Sequence, residues 1–138
     1  MNAMDPSPRF EDLEVWKLGR DLVRTLYAIT QQRDIAKDYG LKDQLRRAGV
    51  SICSNIAEGY ERDGDREFLQ YLSIAKGSVG EVRSQLHHAL DAGYLNEPEF
   101  AQHHASCIHL SIRLARFISY LKNHRLGGTK YKPPESPP

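Results

Sequence analysis

The sequence has little of what marks secreted, disulfide-stabilised or membrane-spanning proteins. Only two of its 138 residues are cysteine, too few for a disulfide framework and not spaced as a CxxC pair. The N-terminus includes Asp5, Pro6 and Arg9 and no apolar run, which argues against a secretory signal. Charged residues interrupt each apolar stretch well before the roughly 20 residues that a membrane span needs. These absences predict a cytoplasmic protein with no membrane partner, in which Cys53 and Cys107 are small buried hydrophobic residues.

The sequence also lacks the short motifs of common enzyme classes. It contains no GxxxxGK[ST] phosphate loop, no GxSxG nucleophile motif and no HExxH zinc motif. None of its six histidines follows a glutamate by three positions, as di-iron helix bundles require. The group His103, His104, Cys107 and His109 is not spaced to supply four metal ligands. We therefore expect a protein that is not an enzyme and has no cofactor or metal, with pockets between subunits as the one place where catalysis stays open.

Charge of one sign is not in excess over the whole chain. Lys and Arg number 19 and Asp and Glu number 18, so the formal net charge is +1. Residues 113–138 nevertheless hold six basic residues and one acidic residue, a local charge of +5, so residues 1–112 carry −4. Two interpretations of this basic C-terminal segment stay open. It binds phosphates of RNA or DNA, or it complements the dipole of a helix C-terminus and keeps the tail soluble.

Apolar residues recur at steps of three and four along most of the chain, as in amphipathic helices. The pattern predicts helices over about residues 14–32, 42–61, 66–92 and 97–125, with 33–40 as the first loop. Tyr27 widens the apolar stripe of the first helix. Residues 1–9 are predicted to be a flexible N-terminus and the proline-rich residues 129–138 a disordered tail. The fold class is therefore all-α, and short loops predict an up-down-up-down antiparallel four-helix bundle over residues 10–128.

The second predicted helix is apolar or small around most of its circumference. Leu45, Ile52 and Ile56 form one face, whereas Val50 and Ala57 point away from it at about 100° per residue. A helix that is apolar nearly all round is buried on more than one side. In a chain of this length a subunit interface explains the second side better than intramolecular core does. The sequence therefore predicts self-association into a homo-oligomer.

Two further lines of residues are candidates for the same interface. Ser51, Asn55 and Glu58 follow one flank of the second helix and suit a hydrogen-bond network between helices or between subunits. A ligand-binding row is the alternative, although no nucleophile and base are paired there. The third helix carries a small-residue stripe, which consists of Ser73, Gly77, Gly80 and Ser84. Two interior glycines cost about 2 kcal/mol relative to alanine, a cost that close approach of a neighbouring helix would offset.

The candidate nucleic-acid contacts are basic residues from two parts of the chain. Those of the C-terminal segment are Arg113, Arg116, Lys122, Arg125, Lys130 and Lys132. Arg46 and Arg47 form a second candidate patch, but adjacent residues of a helix lie about 100° apart. Either one of the two binds a phosphate while the other forms an ion pair across an interface, or both have structural roles only.

Several blocks of the sequence resemble one bacterial family. Residues 41–59 contain the most specific blocks, Gln-Leu-Arg-Arg-Ala and Ser-Asn-Ile-Ala-Glu-Gly. Residues 10–16, Phe-Glu-Asp-Leu-Glu-Val-Trp, and the segment 67–81 of the third helix agree with them. Over about residues 10–121 the chain is similar to the four-helix-bundle proteins encoded in intervening sequences of ribosomal RNA genes. The accessory protein of diversity-generating retroelements is related to that family.

This resemblance implies a ring-shaped homopentamer, because the accessory protein forms a pentameric barrel that contacts reverse transcriptase and nucleic acid. The chain would then be a scaffold or accessory factor that associates with RNA or DNA and with a protein partner such as a reverse transcriptase. The alternative is a protein-interaction module that binds a partner polypeptide without nucleic acid. Binding to structured RNA across a salt series separates the two hypotheses.

Overall fold

The computed structural model describes residues 8–124, which form five α-helices and one 3-10 turn and contain no β-strand. The elements are the 3-10 turn Phe10–Asp12, α1 Glu14–Ile29, α2 Arg33–Lys37, α3 Tyr39–Glu61, α4 Asp65–Asp91 and α5 Glu97–Asn123. The predicted all-α fold class is confirmed. The tail predicted for residues 129–138, and all but the last two residues of the predicted flexible N-terminus, lie outside the described residues.

Four of the helices are long, and each of these packs against two others. The α1 helix packs against α3 and α5, α3 also packs against α4, and α4 against α5, while the short α2 contacts α3. The apolar stripes of all five helices meet in one core. Within it, the Phe68 ring of α4 lies edge-on against Tyr60 of α3 and Phe117 of α5. Within the described range, no helix combines the length and apolar character that crossing a bilayer requires.

Side-chain hydrogen bonds define where α3 and α5 begin. The Asp38 carboxylate accepts a hydrogen bond from the Leu41 amide at 3.1 Å at the start of α3. At the start of α5, Asn96 and Glu99 each accept a hydrogen bond from the other's backbone amide at 2.9 Å, which is a capping box. The Tyr94 hydroxyl donates to the other Asp38 oxygen at 2.9 Å and so ties the α4–α5 loop to α3. This hydrogen bond raises the pKa of Tyr94 above its usual value.

The predicted helix boundaries are wrong mainly between α1 and α3. The first helix ends at Ile29 rather than at residue 32, because the buried Thr30 is fixed at its C-cap, where the Thr30 amide and hydroxyl both donate to the Leu26 carbonyl, at 3.0 and 2.7 Å. The predicted first loop contains α2, which Ile35 anchors in the core with a side chain only 1% exposed. Since Asp38 caps α3, that helix begins at Tyr39, three residues before the predicted start. The predicted bounds of α4 and α5 are off by no more than two residues.

Candidate nucleic-acid and subunit-interface surfaces

Arg46 is held in place between α1 and α3. Its Nε donates to the Thr30 hydroxyl at 2.9 Å, and its guanidinium lies 4.2 Å from the centre of the Tyr27 ring. The Thr30 hydroxyl in turn donates to the Leu26 carbonyl, so the acceptor of the arginine is itself fixed. A cation over an aromatic ring at such a site contributes about 0.5–1 kcal/mol. Arg46 therefore joins two helices and also has a defined conformation.

Arg47 is more exposed than Arg46. Its side chain is 80% exposed and lies 2.9 Å from the Asp43 carboxylate one turn earlier, which is itself 59% exposed. Exposed ion pairs of this kind contribute little, about 0–1 kcal/mol. Both arginines belong to α3, but their partners differ. Arg46 contacts residues at the end of α1, whereas Arg47 pairs with a residue of α3 itself.

Both arginines line a feature that we call the α3 groove, which consists of two adjoining surface cavities. The larger cavity, of about 640 Å³, is lined in part by Tyr27, Asp43, Arg46, Arg47 and Val50. The smaller cavity, of about 510 Å³, is lined by Tyr39, Gly40, Lys42, Asp43 and Arg46. Because Asp43 and Arg46 border both cavities, the groove runs along α3 from Tyr39 to Asn55.

Sequence reasoning missed the tyrosines and the lysine of the α3 groove. The apolar pattern assigns Tyr27 to the stripe of the first helix, yet Tyr27 is 37% exposed. The pattern assigns Tyr39 to the first loop, but it is the first residue of α3, and the Lys42 ammonium lies 5.1 Å from the centre of its ring. The signal was the spacing of three residues between Tyr39 and Lys42, which share a helix face once the start of α3 is known.

The basic residues of α5 have separate surroundings. Arg113 donates from Nε to the Glu14 carboxylate at 2.7 Å, and its side chain is only 15% exposed, so it stabilises the contact between α5 and α1. Arg116 and Lys122 are exposed on the same helix. The remaining three candidates lie outside the described residues: Arg125, Lys130 and Lys132.

The polar line predicted on α3 is divided in the structure. The Asn55 amide donates to the carbonyl and hydroxyl oxygens of Ser51, at 2.8 and 3.0 Å. The Ser51 hydroxyl lies 2.9 Å from that of the buried Ser78, so the line reaches α4 within one chain. Glu58 does not join it and instead accepts a hydrogen bond from Arg62 at 2.8 Å.

The other candidate interface residues lie at the outer surface. The side chain of Val50 is 42% exposed, and Ala57 is partly exposed. The small-residue stripe of α4 is exposed at all four positions: Ser73, Gly77, Gly80 and Ser84. A Cβ atom built on Gly77 or Gly80 would meet nothing within 4 Å. The close approach of a neighbouring helix expected at these glycines is therefore not made by the described part of the same chain.

The histidines and cysteines make packing contacts. Among residues 8–124 no three His, Cys, Asp or Glu side chains are grouped so that they could hold a metal ion. His104 packs against the rings of His87 and Phe100. Cys107 is buried as predicted, whereas Cys53 is only partly buried. Burial raises the pKa of both thiols to about 11, so both are protonated at neutral pH.

The fold thus defines an all-α protein of long, mutually packed helices whose candidate surfaces lie on the outer sides of α3, α4 and α5. Its sequence matches the model of the 23S rRNA-intervening sequence protein family over residues 11–116, and the chain belongs to this family. The predicted relation to proteins of ribosomal RNA intervening sequences is therefore confirmed. The relation to the accessory protein of diversity-generating retroelements stays a prediction.

A solved structure has a similar fold. It is the crystal structure of a protein of unknown function from the S23 ribosomal protein family of Bacteroides thetaiotaomicron. The two chains are 17% identical, with a TM-score of 0.67, and the alignment covers 75% of this chain and 97% of that chain. At this identity the comparison concerns the fold alone. No curated protein matches the chain.

Proposed function

We propose that the protein is a non-enzymatic cytoplasmic scaffold or accessory factor that assembles into a homo-oligomeric ring and associates with RNA or DNA. The observation that carries this proposal is the composition of the outer side of α3. There an exposed apolar residue, Val50, adjoins the cations Arg46 and Arg47 along one groove. Apolar surface favours association with another protein surface, and clustered cations favour association with phosphates.

The packing of the helices supports an up-down-up-down four-helix bundle as the building block. The four long helices contact one another in a closed order, from α1 to α3, α4, α5 and back to α1. The α3–α4 and α4–α5 connections are short, and α2 lies within the connection between α1 and α3. Short connections between consecutive helices favour antiparallel neighbours.

Two exposed features support assembly. Val50 adds apolar surface to the outside of α3, and the glycines of the small-residue stripe contact no neighbour among residues 8–124 that would offset their cost in helix stability. A second copy packed against α3 and α4 would account for both features. Five copies is the number that the resemblance to the retroelement accessory protein implies.

Light scattering coupled to size-exclusion chromatography tests the assembly. The full-length chain is expected to elute as one oligomer, and V50D is expected to dissociate it because burying an unpaired charge is costly. Since Val50 is 42% exposed within one chain, V50D should leave the helical circular dichroism unchanged. Ala101 is exposed on α5, so A101D is the matched control. A wild-type monomer at micromolar concentration would end the assembly hypothesis.

Fluorescence anisotropy with a labelled structured RNA tests the association with nucleic acid. The affinity is expected to fall clearly as the salt concentration rises, because each neutralised phosphate releases counterions. Absence of binding at low salt would contradict this part of the proposal. It would favour the alternative function, a module that binds a partner polypeptide such as a reverse transcriptase.

A further inference from the structure

We propose that the α3 groove is the nucleic-acid contact of this protein and that its ligand is single-stranded. A base stacks on the Tyr39 ring, and backbone phosphates bind Lys42, Arg46 and Arg47. This inference rests on the proposed function and adds to it a surface and a class of nucleic acid. It assigns the contact to α3 rather than to the basic residues of α5.

Tyr39 offers an aromatic surface to a ligand. Its side chain is 72% exposed, more than any other large hydrophobic side chain among residues 8–124. Because Tyr39 is the first residue of α3, its ring lies at one end of the groove, with the Lys42 ammonium 5.1 Å from the ring centre. Stacking on such a ring accepts any base, since every base has a π-face. Tyr39 and Lys42 together therefore provide a base contact and a phosphate contact within one helical turn.

Arg46 supplies a positive charge in a fixed position. The Thr30 hydroxyl and the Tyr27 ring hold its guanidinium, and neither partner carries a charge. In the part of the chain that the structure describes, no carboxylate lies within 4.0 Å of Arg46. Its charge is therefore not neutralised there, and little conformational freedom is lost when a phosphate binds.

The net charge of the groove favours a polyanion. Lys42, Arg46 and Arg47 face one carboxylate, that of Asp43, which lies 2.9 Å from Arg47. Since that ion pair is largely exposed, Arg47 can exchange the carboxylate for a phosphate at little cost. The nearby Asp38 carboxylate is occupied by the Leu41 amide and the Tyr94 hydroxyl.

The exposed ring favours a single strand over a duplex. The bases of a duplex are stacked on one another, so a tyrosine on the protein surface reaches only unpaired bases. Val50, the candidate subunit contact, lies eleven residues after Tyr39, about 16 Å along the axis of α3. The base contact and the subunit contact are therefore well separated along the groove. On α5, by comparison, Arg113 is already bound to Glu14.

The test uses the full-length protein and a fluorescein-labelled oligouridine of about 16 nucleotides. We expect Y39A to weaken binding about tenfold, Y39F to bind as the wild type does, and K42Q to reduce the salt dependence of binding. R116Q on α5 removes one positive charge, as K42Q does, and is its matched control, expected to bind as the wild type does. An RNA duplex of equal length should bind more weakly than the oligouridine.

The outcomes separate this inference from the proposed function. If the oligouridine binds but Y39A binds equally well and R116Q binds more weakly, the groove is not the contact, although the association with nucleic acid stands. If neither the oligouridine nor the duplex binds at low salt, the proposed function fails as well. If Y39A instead changes the mass measured by light scattering, the Tyr39 end of the groove contacts a second copy of the chain, and the inference is wrong. Tyr39 and Lys42 have exposed or partly exposed side chains, so circular dichroism of their variants should match the wild type.

Discussion

Gly49 and Gly59 of α3 and Gly77 and Gly80 of α4 all lie inside long helices but have opposite surroundings. A Cβ atom on Gly59 would lie 2.5 Å from the Tyr71 Cβ, and one on Gly49 would lie 2.7 Å from a Leu26 methyl group. A Cβ atom on Gly77 or Gly80 would meet nothing within 4 Å. The α3 glycines let α1 and α4 approach closely. Those of α4 are not needed for close helix packing within the described residues. This surface is the one proposed above to contact a second copy of the chain.

The largest effect is expected from G59A. The added methyl would overlap the Tyr71 Cβ, an atom so close to the backbone that α4 itself must move. Overpacking of this kind costs about 1–3 kcal/mol, so the free energy of unfolding should fall by about 2 kcal/mol. Guanidinium unfolding at one protein concentration measures it. A stability equal to that of the wild type would show that the α3–α4 contact is looser than described.

G49A should have a smaller effect in the same direction. The atom it meets at 2.7 Å is a terminal methyl of Leu26, which can rotate away more easily than a backbone can. The expected loss is about 1 kcal/mol, at the low end of the cost of overpacking. The same unfolding experiment compares the stabilities of the two variants. If G49A were less stable than G59A, the α1–α3 contact at Gly49 would be less able to adjust than the α3–α4 contact at Gly59.

G77A should change stability in the opposite direction. Its methyl meets no neighbour, and alanine is favoured over glycine in a helix by about 1 kcal/mol. In the V50D background, where assembly is expected to be absent, G77A should raise the free energy of unfolding by up to about 1 kcal/mol. In the wild-type background it should favour smaller species in light scattering. A loss of stability in the V50D background would contradict the open surroundings of Gly77.

The last comparison concerns the reactivity of the thiols, since Cys53 lies on the closely packed side of α3. Cys53 lies in the α1–α3 contact, and a Cβ atom on Gly19 would lie 3.0 Å from its Sγ. With the pKa of both thiols raised to about 11, native protein at pH 8 should react with a disulfide reagent far more slowly than unfolded protein. The single variants C53A and C107A separate the reaction rates of the two thiols. A native protein that reacts as fast as the unfolded protein would contradict the burial of these thiols.

The same pKa values imply a direction for stability at high pH. A neutral thiol is favoured in the folded chain, so this contribution is fully present below the ordinary pKa of 9.0 and is lost as the pH rises toward 11. Denaturant titrations across this interval should show the loss, and it should be smaller in C107A than in the wild type.

Local sequence patterns predicted most of the helical content but failed around Thr30 to Tyr39. The start of α5 was predictable because Asn96 and Glu99, which form its capping box, are only three positions apart in sequence. The end of α1 and the existence of α2 depend on the burial of Thr30 and Ile35. Such burial depends on neighbours distant in sequence, which a local pattern does not contain.

The candidate surfaces were predictable only in part. The sequence showed Arg46 and Arg47 as a basic pair. Their different roles follow from the packing of α1 on α3, because Thr30 and Tyr27 hold Arg46. Arg47 remains paired with Asp43 of its own helix. Arg113 belongs to the basic C-terminal segment by sequence, yet its partner Glu14 lies 99 positions away. Tyr39 was not recognised because its helix begins earlier than the apolar pattern indicated.

By itself the sequence determined the all-α class and the family, because helical periodicity and the specific blocks in residues 41–59 are local properties of the chain. The tertiary structure alone decided which cations carry structural bonds, which glycines are enclosed, and that Arg46 lies against Thr30 and Tyr27. The physical reason is that hydrogen bonding, burial and exposure of a side chain depend on which helices pack around it. That packing joins residues that the linear order separates.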